Sequence, residues 1–311
     1  MDYIILVFWF IFLIKWSDLL VEWASSIAKK FGISALVIWL TIVAFGSSAP
    51  ELVINVISAV WGNTALAVSN IVGSNISNIL LILWVTALIS PVAFPQSTIK
   101  KEIPFLIFVA VLLMWILSDG IISRIDAGIL AVFFAGFLFY TFKISKNIEE
   151  TQPEEEIILL SNLKSTIYIL LWFAGLIGWG KMIVDSAVSI ATQFWLPEAF
   201  IWVTIVAIGT SLPELAVWVV AALKKQTDIA VGSVVGSNIF NTLWILWATG
   251  LISPLPAYAG INIDLSVNIV ASILVLLFAF TFAKNMLERK EWAILVCAYF
   301  VYIWYLINTV L

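Results

Sequence analysis

The sequence predicts an all-α membrane protein: ten transmembrane helices arranged as two inverted-topology repeats of five, with broken helices at mid-membrane. Three observations predict it. The 311 residues are 63% hydrophobic and only 11% charged, more apolar surface than a soluble domain can hide. Apolar stretches long enough to cross a hydrocarbon core of ~30 Å as helices recur along the whole chain. Residues 41–91 also align without a gap on residues 204–254, with 29 identities in 51 pairs, a second copy of one unit.

The elements follow in order. Apolar patterning places spans at about 2–26, 34–60, 64–90, 102–118, 124–143, 164–187, 197–222, 227–252, 262–283 and 289–310. The first stretch carries Asp2 and no basic n-region, so it reads as a spanning helix rather than a cleaved signal. Residues 1–143 form the first repeat and 164–311 the second. Residues 144–163 form an acidic linker with Glu149, Glu150, Pro153, Glu154, Glu155 and Glu156. A solvated linker is favoured over a cation-sensing segment, because short charge runs are usually solvated and so short a piece has no core of its own.

Sidedness follows from the basic residues. With the N-terminus outside, the inner connections hold Lys29, Lys30, Lys100, Lys101, Lys143, Lys146, Lys164, Lys224, Lys225, Lys284, Arg289 and Lys290, which is twelve of the fifteen; the outer ones hold Arg124 alone. Both termini are therefore expected outside the cytoplasm and the linker within it. Five spans per half is an odd number, so the second half enters the membrane from the opposite side and the halves are inverted copies.

The composition also excludes. There is no histidine, no basic patch for nucleic acid and a lone Cys297, so no intrachain disulfide can form. The lipid bilayer is the expected partner, and no obligate protein partner is evident.

The chemistry lies in two pairs of motifs. Gly46-Ser47-Ser48-Ala49-Pro50-Glu51 is answered by Gly209-Thr210-Ser211-Leu212-Pro213-Glu214. Proline removes a backbone donor and crowds the preceding turn, so each helix is expected to break near mid-membrane and leave carbonyls such as those of Ala44 and Ala207 without helical partners. Unwound backbone at that depth is tolerated only where it is buried in protein or lines a watery cavity. A carboxylate follows each break, and a charge at mid-membrane marks a functional site by default. A proline kink with a backbone-bonded glutamate is the plainer alternative; a matched pair weighs against it.

Gly73-Ser74-Asn75-Ile76-Ser77-Asn78 is answered by Gly236-Ser237-Asn238-Ile239-Phe240-Asn241. Ser74 and Asn78 share a helical face, as do Ser237 and Asn241. Small and amide side chains often serve only to pack membrane helices, but beside two buried glutamates they read as ligands. Glu51 and Glu214 supply two charges, Ser47, Ser48, Thr210, Ser211, Ser74 and Ser237 hydroxyls, and Asn78 and Asn241 amide oxygens. All are hard oxygen donors, which argues against zinc, copper or iron. A flexible oxygen cage of charge −2 suits calcium better than magnesium, and the same oxygens could hold sodium ions instead. That competition is the basis of exchange. The ions are cargo and no resident cofactor is expected.

These residues resemble the two α-repeats of the sodium/calcium exchanger family, within the cation/calcium exchanger superfamily, over essentially the whole chain. The resemblance implies ten helices in two inverted halves and antiport of calcium against sodium. It implies Glu51 and Glu214 as central calcium ligands with Ser47 and Thr210 beside them. Ala44, Ser48 and Ser74 would help form one sodium site, and Ala207, Ser211 and Ser237 its mirror. Family members that co-transport potassium carry an aspartate where this chain has Asn241, so potassium dependence is not expected. Ser47 replaces a more usual threonine and keeps the hydroxyl.

Sixteen tryptophans are many for this length. Trp16 and Trp179, Trp39 and Trp202, and Trp84 and Trp247 are repeat-matched pairs at positions where relatives tend to be small, and Trp195 faces Gly32. Close helix crossings want small residues. The expectation is that many of these positions are UGA codons that the organism reads as glycine. Some tryptophans would instead suit an interfacial belt.

Calcium/proton exchange on the same fold is the first rival, since both glutamates could carry protons. A passive channel is less favoured, because a closed two-carboxylate cage holds calcium too firmly for fast conduction. An enzyme is not expected, for no nucleophile–base pair is visible. Lys15, Asp18, Glu22, Lys181 and Asp185, in the first span of each half, read as ion pairs near the inner interface, a reading favoured over one in which they bias the sliding of these helices during switching.

Overall fold

The computed structural model describes residues 39–60, 64–90, 92–145, 207–223, 227–281, 286–287 and 289–310, with isolated positions 26, 30, 161, 164, 167, 168, 171 and 174. The expected spans at 2–26 and 164–187, the charged residues in them and most of the linker lie outside the described residues.

A π-helical turn at Trp39–Val43 leads into α1 (Ala44–Ser47) and, after an interruption at Ser48, α2 (Ala49–Val60). α3 (Thr64–Ser77) runs through a π-turn, Asn78–Ile82, into α4 (Leu83–Ile89). Another π-turn, Thr98–Glu102, opens α5 (Ile103–Ile116), and α6 (Arg124–Ser145) closes the half. The second half repeats this order with α7 (Ala207–Thr210), an interruption at Ser211, α8 (Leu212–Leu223), α9 (Thr227–Ile239), a π-turn at Phe240–Ile245, α10 (Leu246–Ile252), α11 (Ile261–Thr281) and α12 (Arg289–Val310).

Burial sorts the helices into layers. The stretches Ala67–Ile89 and Val231–Ile252 are 78% and 83% buried, so the two G-S-N-x-x-N helices form the centre. Arg124–Lys143 is only 28% buried and Ile261–Phe280 39%, so these spans lie outermost. Val132, Phe139, Phe280, Phe300, Val301 and Trp304 are exposed, an apolar outer surface that suits lipid and not water.

Local sequence explains the helix ends. Ser123 and Asp126 form a capping box at the start of α6: the Ser123 amide donates to Asp126 Oδ2 at 2.9 Å and the Asp126 amide to Ser123 Oγ at 3.3 Å. Gly120 and Gly260 take positive φ of 89° and 94°, the left-handed turns that feed α6 and α11.

Two short strand pairs tie the halves together. β1 (Val92–Ala93) pairs antiparallel with β4 (Met286–Leu287), and β2 (Ile121–Ile122) with β3 (Leu255–Pro256). Thus the connection before α5 in one half meets the connection after α11 in the other, and the reverse. Two halves with the same orientation would instead bring β1 to the face of β3. The pairing is the signature of inverted copies, and it places the lysine-rich connections around 100 and 284–290 on one face.

The clefts between outer spans repeat as well. Tyr140 Oη donates to Glu102 Oε1 at 2.7 Å in the first half, and Tyr302 Oη donates to Asp264 Oδ1 at 3.0 Å in the second. Tyr258 adds a second bond to Asp264, at 2.5 Å.

The matched tryptophans Trp84 and Trp247 are half-buried against the core, and Trp244 packs against Phe45 with ring centroids 4.4 Å apart and planes tilted by 34°. The side chains of Trp16, Trp39, Trp179, Trp195 and Trp202 lie outside the described residues.

Candidate ion-binding site

The prolines shape the site. Pro50 and Pro213 have no amide to offer the carbonyls of Gly46 and Gly209, and the helices are interrupted at Ser48 and Ser211. The interruption is a single residue, with Ser48 at φ −83° and ψ 8°. One expectation is corrected here: the Ala44 carbonyl is not left without a helical partner. It accepts the Ser48 amide at 3.1 Å and the Ser47 hydroxyl at 3.3 Å. The proline removes the amide that would bond the carbonyl four residues before it, at Gly46, and a backbone N–H at the cap engages that carbonyl instead, so the helix is pinched rather than unwound over a full turn. Ala207 opens α7 at the matching place.

The interrupted helices cross the central ones so that each half completes the other. Ser47 Oγ lies 3.2 Å from Ser237 Oγ, and its repeat mate Thr210 Oγ1 lies 3.2 Å from Ser74 Oγ. Ser48 Oγ donates to Glu214 Oε1 at 3.4 Å. Thr210 stands beside Glu51 and Ser47 beside Glu214. Gly236 permits this crossing: a Cβ there would sit 3.1 Å from Leu40 Cα, from Leu40 O and from Ala44 Cβ.

Glu51, Glu214, Ser47, Ser48, Ser74, Asn78, Thr210, Ser211, Ser237 and Asn241 are all fully buried, as is Ala44. The structure therefore brings together in one buried region every sequence-derived candidate whose side chain is described.

Four groups were overlooked in the sequence. Asn78 Nδ2 donates to Asn238 Oδ1 at 2.9 Å, and Asn241 Nδ2 donates to Asn75 Oδ1 at 3.1 Å. Asn238 Nδ2 donates to the Asn75 carbonyl at 3.1 Å, and Asn75 Nδ2 to Thr242 Oγ1 at 2.9 Å. Thr242 donates in turn to the Asn238 carbonyl at 3.0 Å. Asn75 and Asn238 stand inside the repeated motif, so the repeat could have flagged them. Asn70 accepts a bond from Thr210 at 3.4 Å and completes the set.

This network engages the amide nitrogens of Asn78 and Asn241 and leaves their oxygens. Asn78 Oδ1 and Asn241 Oδ1 have no hydrogen-bond partner, nor do Glu51 Oε1 and Oε2, Glu214 Oε2 or Ser211 Oγ. Buried polar atoms are nearly always bonded. Six orphan oxygens from both halves of one repeat, two of them on symmetry-matched amides, form a donor set of cation-ligating character. Six to eight oxygens at flexible angles are what calcium takes. Among the described residues no group of three His, Cys, Asp or Glu forms, so the cage carries two carboxylates and no soft ligand.

Known proteins share this architecture. The family described as sodium/calcium exchanger protein matches residues 1–143 and 164–308. The sodium/calcium exchanger MaX1 of Methanosarcina acetivorans is 30% identical, with 96% of each chain covered. The inner membrane protein YrbG of Escherichia coli is 35% identical over 74% of each chain. Among solved structures, the sodium-calcium exchanger NCX_Mj, soaked with sodium and without calcium, superposes with a TM-score of 0.80 at 28% identity and covers 100% of both chains.

Proposed function

The chain belongs to the sodium/calcium exchanger family, and from that premise we propose that the buried oxygen cage around Glu51 and Glu214 is where its ions bind and exchange. The protein is a multi-pass membrane antiporter that moves calcium against sodium. The observation that carries the site assignment is the set of six unpartnered buried oxygens shared between the halves.

The two glutamates bind by charge and the amides by their fixed carbonyl oxygens. Ser47, Ser48, Ser74, Thr210, Ser211 and Ser237 supply hydroxyls around them, with the Ala44 and Ala207 backbone at the helix interruptions. Two bare carboxylates in a dry interior cost several kcal/mol each after relaxation. One calcium, or two sodium ions, neutralises that charge. The loaded cage can therefore change its exposure from one face to the other at little electrostatic cost, and the empty cage resists. This makes the countermovement of ions obligatory. Inverted halves supply the two faces: what one half opens inward, its copy opens outward. Both termini lie outside the cytoplasm and the 144–163 linker within it, on the lysine bias of the connections.

The test is uptake of radioactive calcium into sodium-loaded proteoliposomes, with and without an outward sodium gradient, beside a Glu51→Gln/Glu214→Gln double variant. Uptake that needs the gradient and vanishes in the variant is expected. Uptake driven by a pH gradient and indifferent to sodium would transfer the assignment to proton exchange.

A further inference from the structure

We propose that Asn55 and Asn70 form, with Glu51, a one-sided waiting position for a partly hydrated sodium ion beside the central cage. The idea rests on the exchange reading above, and it starts from an asymmetry between the repeats.

Asn55 is fully buried, and neither its Nδ2 nor its Oδ1 has a partner. Asn70 is also fully buried. Its Oδ1 accepts from Thr210, and its Nδ2 has no partner. A buried amide left unpaired is costly, so two of them beside Glu51 offer a place where a polar guest would be held.

The second half shows how these positions relate. In the register of the repeat, Asn55 corresponds to Trp218 and Asn70 to Ser233. There the indole Nε1 donates to Ser233 Oγ at 2.9 Å, and both residues are fully buried. In the second half the two positions therefore face one another across the crossing of the interrupted helix with the central one, and the repeat puts Asn55 and Asn70 at the matching places in the first. In the second half that place is filled and bonded. In the first it holds two amides with three unpartnered atoms.

Chemistry selects the guest. Glu51 and Asn55 stand four residues apart on α2, on one helical face. Glu51, shared with the cage, and Asn55 Oδ1, which has no partner, present acceptors that suit a hard cation. The free amide hydrogens of Asn55 and Asn70 suit a water that travels with it. Too few protein oxygens converge to strip calcium, which takes six to eight, whereas a monovalent ion that keeps water needs fewer. The position lies one turn, about 5.4 Å of helix, beyond Glu51 toward Val60. It serves the face at that end of α2, while Trp218, which faces an asparagine in the repeat and is outside the matched tryptophans expected to be glycine, blocks its mirror.

The experiment measures the half-saturating sodium concentration for exchange with sodium presented to each face in turn, in oriented proteoliposomes. The variants are Asn55→Leu and the isosteric Asn55→Asp. A several-fold rise in Asn55→Leu and a fall in Asn55→Asp, both confined to the face at the Val60 end, are expected. Equal shifts at both faces, or none in either variant, would overturn the waiting position and leave the amides a packing role. Should Asn55→Leu not fold, sodium-dependent thermal stabilisation of purified Asn55→Asp against wild type decides: stronger sodium stabilisation supports the position and an unchanged response refutes it. Wild-type exchange in the same vesicles tests the antiport assignment on its own, and the thermal measurement still judges the sodium position if that exchange fails.

Discussion

Asn78 and Asn238 are joined across the two halves, with the amide nitrogen of Asn78 donating to Asn238 Oδ1 at 2.9 Å. Their repeat mates make the equivalent bond, from Asn241 to Asn75 at 3.1 Å. Each bond fixes which end of Asn78 or Asn241 looks into the proposed cage. Asn75 and Asn238 are thus positioning residues that act through Asn78 and Asn241. Replacing Asn238 by alanine leaves a buried donor on Asn78 unpaired, at about 1–3 kcal/mol, and frees the amide to rotate. The half-saturating calcium concentration should rise several-fold while the maximal rate stays near wild type. An equal loss in the maximal rate alone would argue against the orienting role.

Asn241 offers a second test, through charge. With Asn78 and Asn241 both neutral, only Glu51 and Glu214 carry charge in the cage, and potassium should be dispensable. Replacing potassium by choline is expected to leave sodium-driven calcium uptake unchanged. Asn241→Asp adds a third carboxylate beside the first two. An ionised third group demands one more monovalent charge for neutrality, so the dependence of exchange on sodium should steepen. Flux assays across a sodium series read both effects.

Close helix approach around the site depends on one missing methyl group. A Cβ at Gly236 would press on the backbone of Leu40, which cannot swing aside as a flexible side chain would. Gly236→Ala should lower stability by about 1–3 kcal/mol and reduce exchange. Gly128, with nothing within 4 Å of an added Cβ, is the control. Gly128→Ala should be neutral or stabilising by about 0.5–1 kcal/mol through helix propensity. Thermal unfolding in detergent compares them.

Much of this was legible in the sequence because membrane helices leave plain signals. Long apolar runs placed the spans 64–90, 124–143, 227–252 and 289–310 within a few residues of the observed helices. The repeat exposed Glu51 and Glu214 as a pair. Asn75 and Asn238 escaped because an amide in a motif does not say whether it ligates or steers, and only the crossing geometry distinguishes the two. The Glu102–Tyr140 and Asp264–Tyr302 pairs escaped for a different reason. They repeat at a spacing one residue shorter than the motifs, outside the ungapped alignment. The single-residue pinch at Ser48 was not legible either, since proline predicts a lost bond but not how far the neighbouring turns recover.

The strand pairs predict which connections share a face. β2 lies against β3, so positions 119 and 259 should be reached from one side, and 96, next to β1, from the other. Single cysteines at Asp119, Ala259 and Gln96, placed in a Cys297→Ser background, can be labelled in whole cells with a membrane-impermeant maleimide. Labelling at 119 and 259 alone is expected from the lysine bias. Labelling at 96 alone would invert the orientation, and labelling at 119 but not 259 would contradict the inverted pairing.

The matched tryptophans lead to a prediction that can be checked in the gene. Trp84 and Trp247 begin the second parts of the two central helices and are half-buried against the core. Next to them the fold demands small groups: a Cβ at Gly250 would already stand 3.1 Å from Ala127 Cβ. An indole beside such a contact holds neighbouring helices apart and gives up packing at about 1–3 kcal/mol per site. Reading UGA as glycine would place a small residue at both matched positions and let the central helices approach the outer ones. The codons at these positions are expected to be UGA, and a Trp84→Gly/Trp247→Gly variant should unfold at a higher temperature than the tryptophan form and exchange calcium faster. UGG at both positions, with a variant that is less stable, would establish the indoles as native parts of the core.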